Sequence, residues 1–245
     1  MTMDTPIMWG VGVGPGDPDL LTVKAARVLR ETPLFAHFAK RGAPGVARTI
    51  AAPHLTDEHE EMRFDYPFTV EVSVGDPSYF AAMDAFYDDC AAAVSRRLDA
   101  GQSVAVLCEG DPFFYGSYMY LHERLAPHVT ARVIPGVTGM SGCWTVADTP
   151  ITRGEQVLTV LSGTLPADTL ATRLTATDAA VVMKVGRHLP KIRDVLRSAG
   201  LLDRAIYVER ATMADQRMVR LADRDPSEAA PYFSIVLVPG RASRD

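Results

Sequence analysis

The sequence predicts an α/β protein of two domains, and three observations carry that reading. Short runs rich in Val, Ile and Leu alternate with helix-length amphipathic stretches along the 245 residues, the pattern of parallel strands joined by crossover helices. Three of the apolar runs end in glycine-bearing turns, at 10–17, 109–116 and 135–142. The Pro135-Gly136 break divides the alternation into two stretches of ordinary domain length, residues 1–136 and 137–245.

In the first domain strands are expected over 8–13, 34–38, 103–108 and 132–134, with helices over 20–31, 83–100 and 119–125. Pro18 and Asp19 open the first helix. Val104 to Leu107 are apolar throughout, as in a strand buried on both faces, whereas Val70, Val72 and Val74 alternate with Thr69, Glu71 and Ser73, as in an edge strand with one face in water. Each of these two runs leads into a Gly-Asp-Pro, at Gly75-Asp76-Pro77 and Gly110-Asp111-Pro112. In the second domain strands are expected over 157–161, 179–185, 205–209 and 233–238, separated by helical stretches around Leu170 and Ile192. The acidic cluster Asp57, Glu58, Glu60 and Glu61 lies near His54 and His59, but the histidines are five apart and share no helix face. A solvated loop is expected there rather than a metal site.

Composition narrows the function classes. A chain that is 47% hydrophobic with a formal net charge of -5 can bury sizeable cores but offers no basic field for nucleic acid. Cys90, Cys108 and Cys143 are odd in number and lack metal-ligand spacing, which points to a reducing, cytoplasmic setting without a disulfide framework. No secretory leader or membrane-spanning run is read in the sequence.

The turn Gly10-Val11-Gly12-Val13-Gly14-Pro15-Gly16-Asp17 follows a short apolar strand, and its glycines let a ligand approach the backbone. A dinucleotide fingerprint would need a third glycine where Pro15 or Asp17 stands, and the Lys of a phosphate-binding loop is absent. By itself the segment fits a tight strand-to-helix turn as well as a ligand loop. The run from Glu109 to Gly116 adds backbone amides, a carboxylate and aromatic rings at the end of a central strand, where open α/β sheets bind ligands. An Asx turn backed by core aromatics would give the same pattern. The third turn, Pro135-Gly136-Val137-Thr138-Gly139, standing alone reads as a domain-linking turn.

Together, in this order and spacing, the three segments resemble those of the tetrapyrrole methylases, the class III S-adenosylmethionine-dependent methyltransferases, across essentially the whole chain. Gly12, Gly14, Gly16 and Asp17 match the family's first motif, with Leu21 near its leucine. Gly110, Asp111, Pro112, Tyr115 and Gly116 match the second, and Pro135 to Thr138 match the third, where Gly139 replaces a serine. Ser162-Gly163-Thr164-Leu165-Pro166, Val182 to Arg187, Glu209 to Thr212 and Tyr232 to Ser234 are similar to the branch that methylates precorrin-2 at C-20.

The resemblance implies two α/β domains with the cofactor in the cleft between them, a homodimer, S-adenosylmethionine as methyl donor, no metal, and a small tetrapyrrole as substrate. Pro15, Gly110, Asp111, Tyr115, Thr138, Gly139, Lys184 and Ala211 fall at its cofactor-contacting positions, and Asp17 at a substrate position. A substrate with many carboxylates also calls for cations, for which Arg153 and Arg187 are candidates. No catalytic residue is assigned, because an electron-rich ring carbon can attack a sulfonium methyl and lose its proton afterwards. The rival readings are methylation at another ring carbon, a cobalt-bearing substrate, or a nucleotide-sensing module without turnover.

Overall fold

The computed structural model describes residues 5–68 and 77–241, so Val70, Val72, Val74, Gly75 and Asp76 lie outside the described residues. The chain divides into two compact units, Met1–Thr138 and Gly139–Asp245.

The first unit is a five-stranded sheet with strands β1 (Ile7–Gly12), β2 (Leu34–Lys40), β3 (Glu60–Tyr66), β4 (Val104–Cys108) and β5 (Thr130–Ile134). The order is β3-β2-β4-β1-β5 and every pairing is parallel. Parallel neighbours need crossovers, supplied by α1 (Val23–Glu31), α2 (Val46–Ala51), α3 (Pro77–Asp99) and α4 (Tyr118–Leu125). On one face Met8, Val106 and Cys108 pack with Tyr87 and Val94 of α3 and Leu121 of α4. On the other, Val11, Ala105, Leu107 and Ile134 pack with Ala25, Val28 and Leu29 of α1 and Ile50 of α2. With both faces covered, β4 is buried at all five positions, which is why its sequence is uninterruptedly apolar. α1 begins where the Thr22 hydroxyl accepts the Ala25 amide at 3.1 Å.

The second unit contains α5 (Gly139–Val146), β6 (Leu158–Ser162), α6 (Ala167–Thr175), β7 (Ala179–Met183), α7 (Leu189–Ser198), β8 (Ile206–Glu209), β9 (Arg217–Arg220) and β10 (Ser234–Val238). Its sheet runs β6-β7-β10-β8-β9. Here the expectation of parallel strands needs correction: β6 and β7 are parallel, but β10 is antiparallel to both β7 and β8, and β9 is antiparallel to β8. Because β7 and β8 both oppose β10, the carboxyl ends of β6, β7 and β8 share one edge of the sheet. α6 and α7 cover one face through Leu170, Leu174, Ile192 and Leu196. Cys143 of α5 packs on the other with Val181, Val208 and Ile235.

The acidic cluster also differs from the expected loop. Glu60 and Glu61 open β3, and Glu61 Oε1 lies 2.7 Å from His37 Nε2 of β2. His59 instead ties the turn, its Nε2 reaching the Leu29 carbonyl at 2.9 Å. Among the described residues no cluster of metal-ligating side chains occurs, and no helix is long and apolar enough to cross a membrane.

Candidate active site

The carboxyl ends of β1, β4 and β5 are neighbours in the first sheet, and the chain after them carries the three glycine turns. β1 connects toward β2 on one side and β4 toward β5 on the other, so this edge is where the connections diverge and open sheets form crevices. Gly14 and Gly110 exchange backbone hydrogen bonds, Gly110 N to Gly14 O at 2.8 Å and Gly14 N to Gly110 O at 3.4 Å. A Cβ on Gly136 would stand 2.0 Å from the Gly110 carbonyl oxygen, and one on Gly12 2.6 Å from the Gly136 nitrogen. Three backbones therefore meet where no side chain fits. Gly14 and Gly110 also adopt φ of 81° and 65°, the left-handed region that glycine enters without strain.

Asp111 binds this junction together. Its Oδ1 accepts the Phe113 amide at 2.9 Å and its Oδ2 the Gly136 amide at 3.0 Å, so one side chain closes its own turn and tethers the turn after β5. Tyr115 then takes a φ of 58° with its ring substantially exposed, a conformation a non-glycine residue holds only when its surroundings impose it. Asp17 Oδ1 accepts the Asp19 amide at 2.9 Å and caps the short 3-10 turn Pro18–Leu20. Pro15 sits between Gly14 of the junction and this cap, and Thr138 follows Gly136 by two residues.

In the second unit Lys184, Arg187 and Ala211 follow the strand ends that share an edge. Lys184 follows β7 at φ 55°, and its carbonyl lies 3.0 Å from where a Cβ on Gly163 would stand. Ala211 is buried between Arg210 at φ 45° and Thr212 at φ 67°. The Arg210 amide donates to Phe233 O at 2.8 Å and the Thr212 amide to Gln216 Oε1 at 2.9 Å, which fixes this unusual run. Gly139 opens α5, with room for a Cβ up to an ordinary contact with Ile235. Arg187 is exposed in the 3-10 turn Gly186–His188. Arg153 is exposed too, but its amide bonds Gln156 Oε1 at 2.9 Å, and Gln156 reaches the Arg241 carbonyl beyond the end of β10. It thus lies at the opposite end of the sheet from Arg187, the other arginine expected from the sequence to meet substrate carboxylates.

A profile of the Tetrapyrrole (Corrin/Porphyrin) Methylases matches residues 8–223. The chain belongs to the tetrapyrrole methylase family. It is 51% identical over 235 residues to a precorrin-2 C(20)-methyltransferase of Sinorhizobium sp, covering 96% of each chain. It is 29% identical over 233 residues to the cobalt-precorrin-2 C(20)-methyltransferase of Salmonella typhimurium, covering 94% of this chain and 95% of that one. The X-ray structure of a cobalt precorrin-4 methyltransferase superposes with a TM-score of 0.71 at 20% identity, over 95% of this chain and 94% of that one, and so shares its fold.

As a tetrapyrrole methylase the protein is an S-adenosylmethionine-dependent C-methyltransferase. At the glycine junction the backbones of Gly12, Gly110 and Gly136 pack against one another without side chains, with Gly110 bonded to Gly14 and Gly136 to Asp111. Sequence reasoning missed one group beside that junction. Glu109 Oε1, immediately before Gly110, accepts the Ala47 amide of α2 at 3.0 Å, and burial raises its pKa. The residue keeps some accessible surface, but the carboxyl itself is enclosed. Its signal was a charged residue ending an otherwise apolar strand. The methylase's three cysteines are free and buried, and burial pushes each thiol up to about 12.

Proposed function

We propose that this methylase transfers the methyl group of S-adenosylmethionine to C-20 of precorrin-2, giving precorrin-3A on the route to corrins. The observation that carries the reading is the 51% identity to the Sinorhizobium precorrin-2 C(20)-methyltransferase over 96% of both chains. Bound S-adenosylmethionine supplies an electrophilic methyl on sulfur. The chain's own part is alignment, since an in-line displacement depends on holding the methyl and the attacking carbon at contact distance. Pro15, Gly110, Asp111, Tyr115, Thr138, Gly139, Lys184 and Ala211 are proposed to hold the cofactor, with Asp111 acting by tying two of the turns together. Asp17 and Arg187 are proposed on the substrate side, and Arg153 as a carboxylate contact independent of Arg187. The enzyme is proposed to work in the cytoplasm as a homodimer, and a net charge of -5 supports a small-molecule substrate over nucleic acid.

Anaerobic incubation with precorrin-2 and S-adenosylmethionine, followed by mass spectrometry and carbon NMR, is the test. One added methyl at C-20 is expected. A methyl on another carbon, or turnover with cobalt-precorrin-2 alone, overturns the assignment; binding without transfer would favour a sensing module.

A further inference from the structure

We infer that Ser117 is a positioning residue of the cofactor site, its hydroxyl clamped between Tyr66 and Tyr87 so that the preceding turn holds Tyr115 in its left-handed conformation. The inference rests on the proposal that Tyr115 contacts S-adenosylmethionine.

Ser117 stands at the N-cap of α4, where serine ordinarily accepts an amide of the first helical turn. Its side chain makes no such bond, and its backbone is already helical, with φ -67° and ψ -19°. The amides such a cap would take have other partners, Met119 N donating to Gly116 O at 3.2 Å and Tyr120 N to Ser117 O at 3.3 Å, while the Cys108 sulfur, at the end of β4, interacts with the backbone of Ser117 and Tyr118. Gly116 fits against that same sulfur, which would stand 2.6 Å from a Cβ there. Relieved of capping, the Ser117 hydroxyl lies 2.5 Å from Tyr66 Oη and accepts Tyr87 Oη at 3.2 Å. Tyr66 ends β3 and Tyr87 belongs to α3, so two elements distant in sequence converge on one hydroxyl.

The geometry gives the clamp an object. Asp111 anchors the front of the turn through the Phe113 amide, and Ser117 anchors its rear, leaving Tyr115 between two fixed points. A left-handed tyrosine is strained and relaxes if either anchor slackens. The rings behind the clamp are themselves packed: Tyr66 stacks on Phe38 with centroids 5.6 Å apart, and Tyr87 on Tyr120 at 4.4 Å. Losing a hydroxyl thus frees the turn without moving the wall.

The test is a double-mutant cycle read by isothermal titration of S-adenosylmethionine. Ser117→Ala is expected to weaken binding roughly five- to tenfold, the loss of one to two net hydrogen bonds. In a Tyr115→Ala background the same change should cost less than about twofold, since the residue it positions is gone. A purely structural serine would cost the same in both backgrounds, and that result overturns the inference. Tyr66→Phe/Tyr87→Phe, which keeps both rings and Ser117, should weaken binding in the same direction and serves if Ser117→Ala fails to fold. Unchanged affinity in the Ser117 and tyrosine variants, with a loss in Tyr115→Ala, overturns the inference and leaves the cofactor site standing. Unchanged affinity in Tyr115→Ala overturns the cofactor reading of this turn and the inference with it.

Discussion

Asp111 uses both carboxylate oxygens on backbone amides, so the cofactor role proposed for it works through loop geometry. Asp111→Ala leaves two amides without their acceptor, and charge-assisted bonds of this kind are worth about 1.5–3 kcal/mol. The expected outcome is a roughly tenfold to hundredfold rise in the Kd for S-adenosylmethionine, measured by calorimetry. Asp111→Asn keeps oxygen acceptance on one side and should fall between. Asp76→Ala, in the other Gly-Asp-Pro, should change little; equal losses at both positions would defeat the assignment. The two arginines separate at the same scale. Arg187→Ala and Arg153→Ala are each expected to raise the KM for precorrin-2 with S-adenosylmethionine affinity intact, and because they lie at opposite ends of the sheet their effects should multiply in the double variant. A KM unchanged in both single variants removes them from the substrate site.

At the scale of elements, α2 is held to the sheet by polar groups as well as apolar ones. Glu109 accepts the Ala47 amide beneath it, and burial keeps the carboxyl above its ordinary value of 4.5. A carboxyl with a raised folded pKa binds its proton more tightly when folded, so its contribution to stability declines as pH climbs above the unfolded value toward the folded one. Glu109→Gln keeps an acceptor for Ala47 and cannot ionise. Its melting temperature relative to the native chain should therefore improve as pH rises above the ordinary carboxyl value of 4.5; a difference that does not change as pH rises from there would refute the account. Glu61 behaves oppositely: burial alone would raise its pKa, but hydrogen bonds and charge from His37 and Arg48 together lower it. These elements also show what could be read beforehand. β4 was legible because burial on both faces leaves only apolar residues, and β10 because it is apolar from Ile235 to its end. β3 was hidden, since Met62, Phe64 and Tyr66 point to the core while Glu61, Arg63 and Asp65 disguise the alternation as part of a charge run. α2 has six residues and β9 four, too short to show a period. The direction of β10 was beyond reach, because strand–helix alternation does not say which way an inserted strand runs. The glycine turns were legible as a set, whereas the separation of Arg153 from Arg187 depends on contacts of Gln156 with residues far along the chain.

At the scale of the molecule, each unit has its own sheet with hydrophobic clusters on both faces, and each is centred on a fully buried strand, β4 in one and β10 in the other. Hydrogen exchange is expected to find its slowest amides in both strands, because opening either requires disrupting packing on two sides. Fast exchange along β10 would contradict the second core. The buried thiols give a companion test: with pKa values pushed to about 12, Cys90, Cys108 and Cys143 should resist alkylation in the native protein and react once it is denatured. The meeting of Gly12, Gly110 and Gly136 has a consequence for anyone re-engineering the fold. When a side chain is enlarged in an ordinary core, a neighbour can be trimmed to make space, but here the neighbours are backbone and have nothing left to trim. Loops transplanted from a related enzyme would have to arrive as a matched trio, since a foreign loop whose path differs by even the width of one methyl group would pry apart the other two.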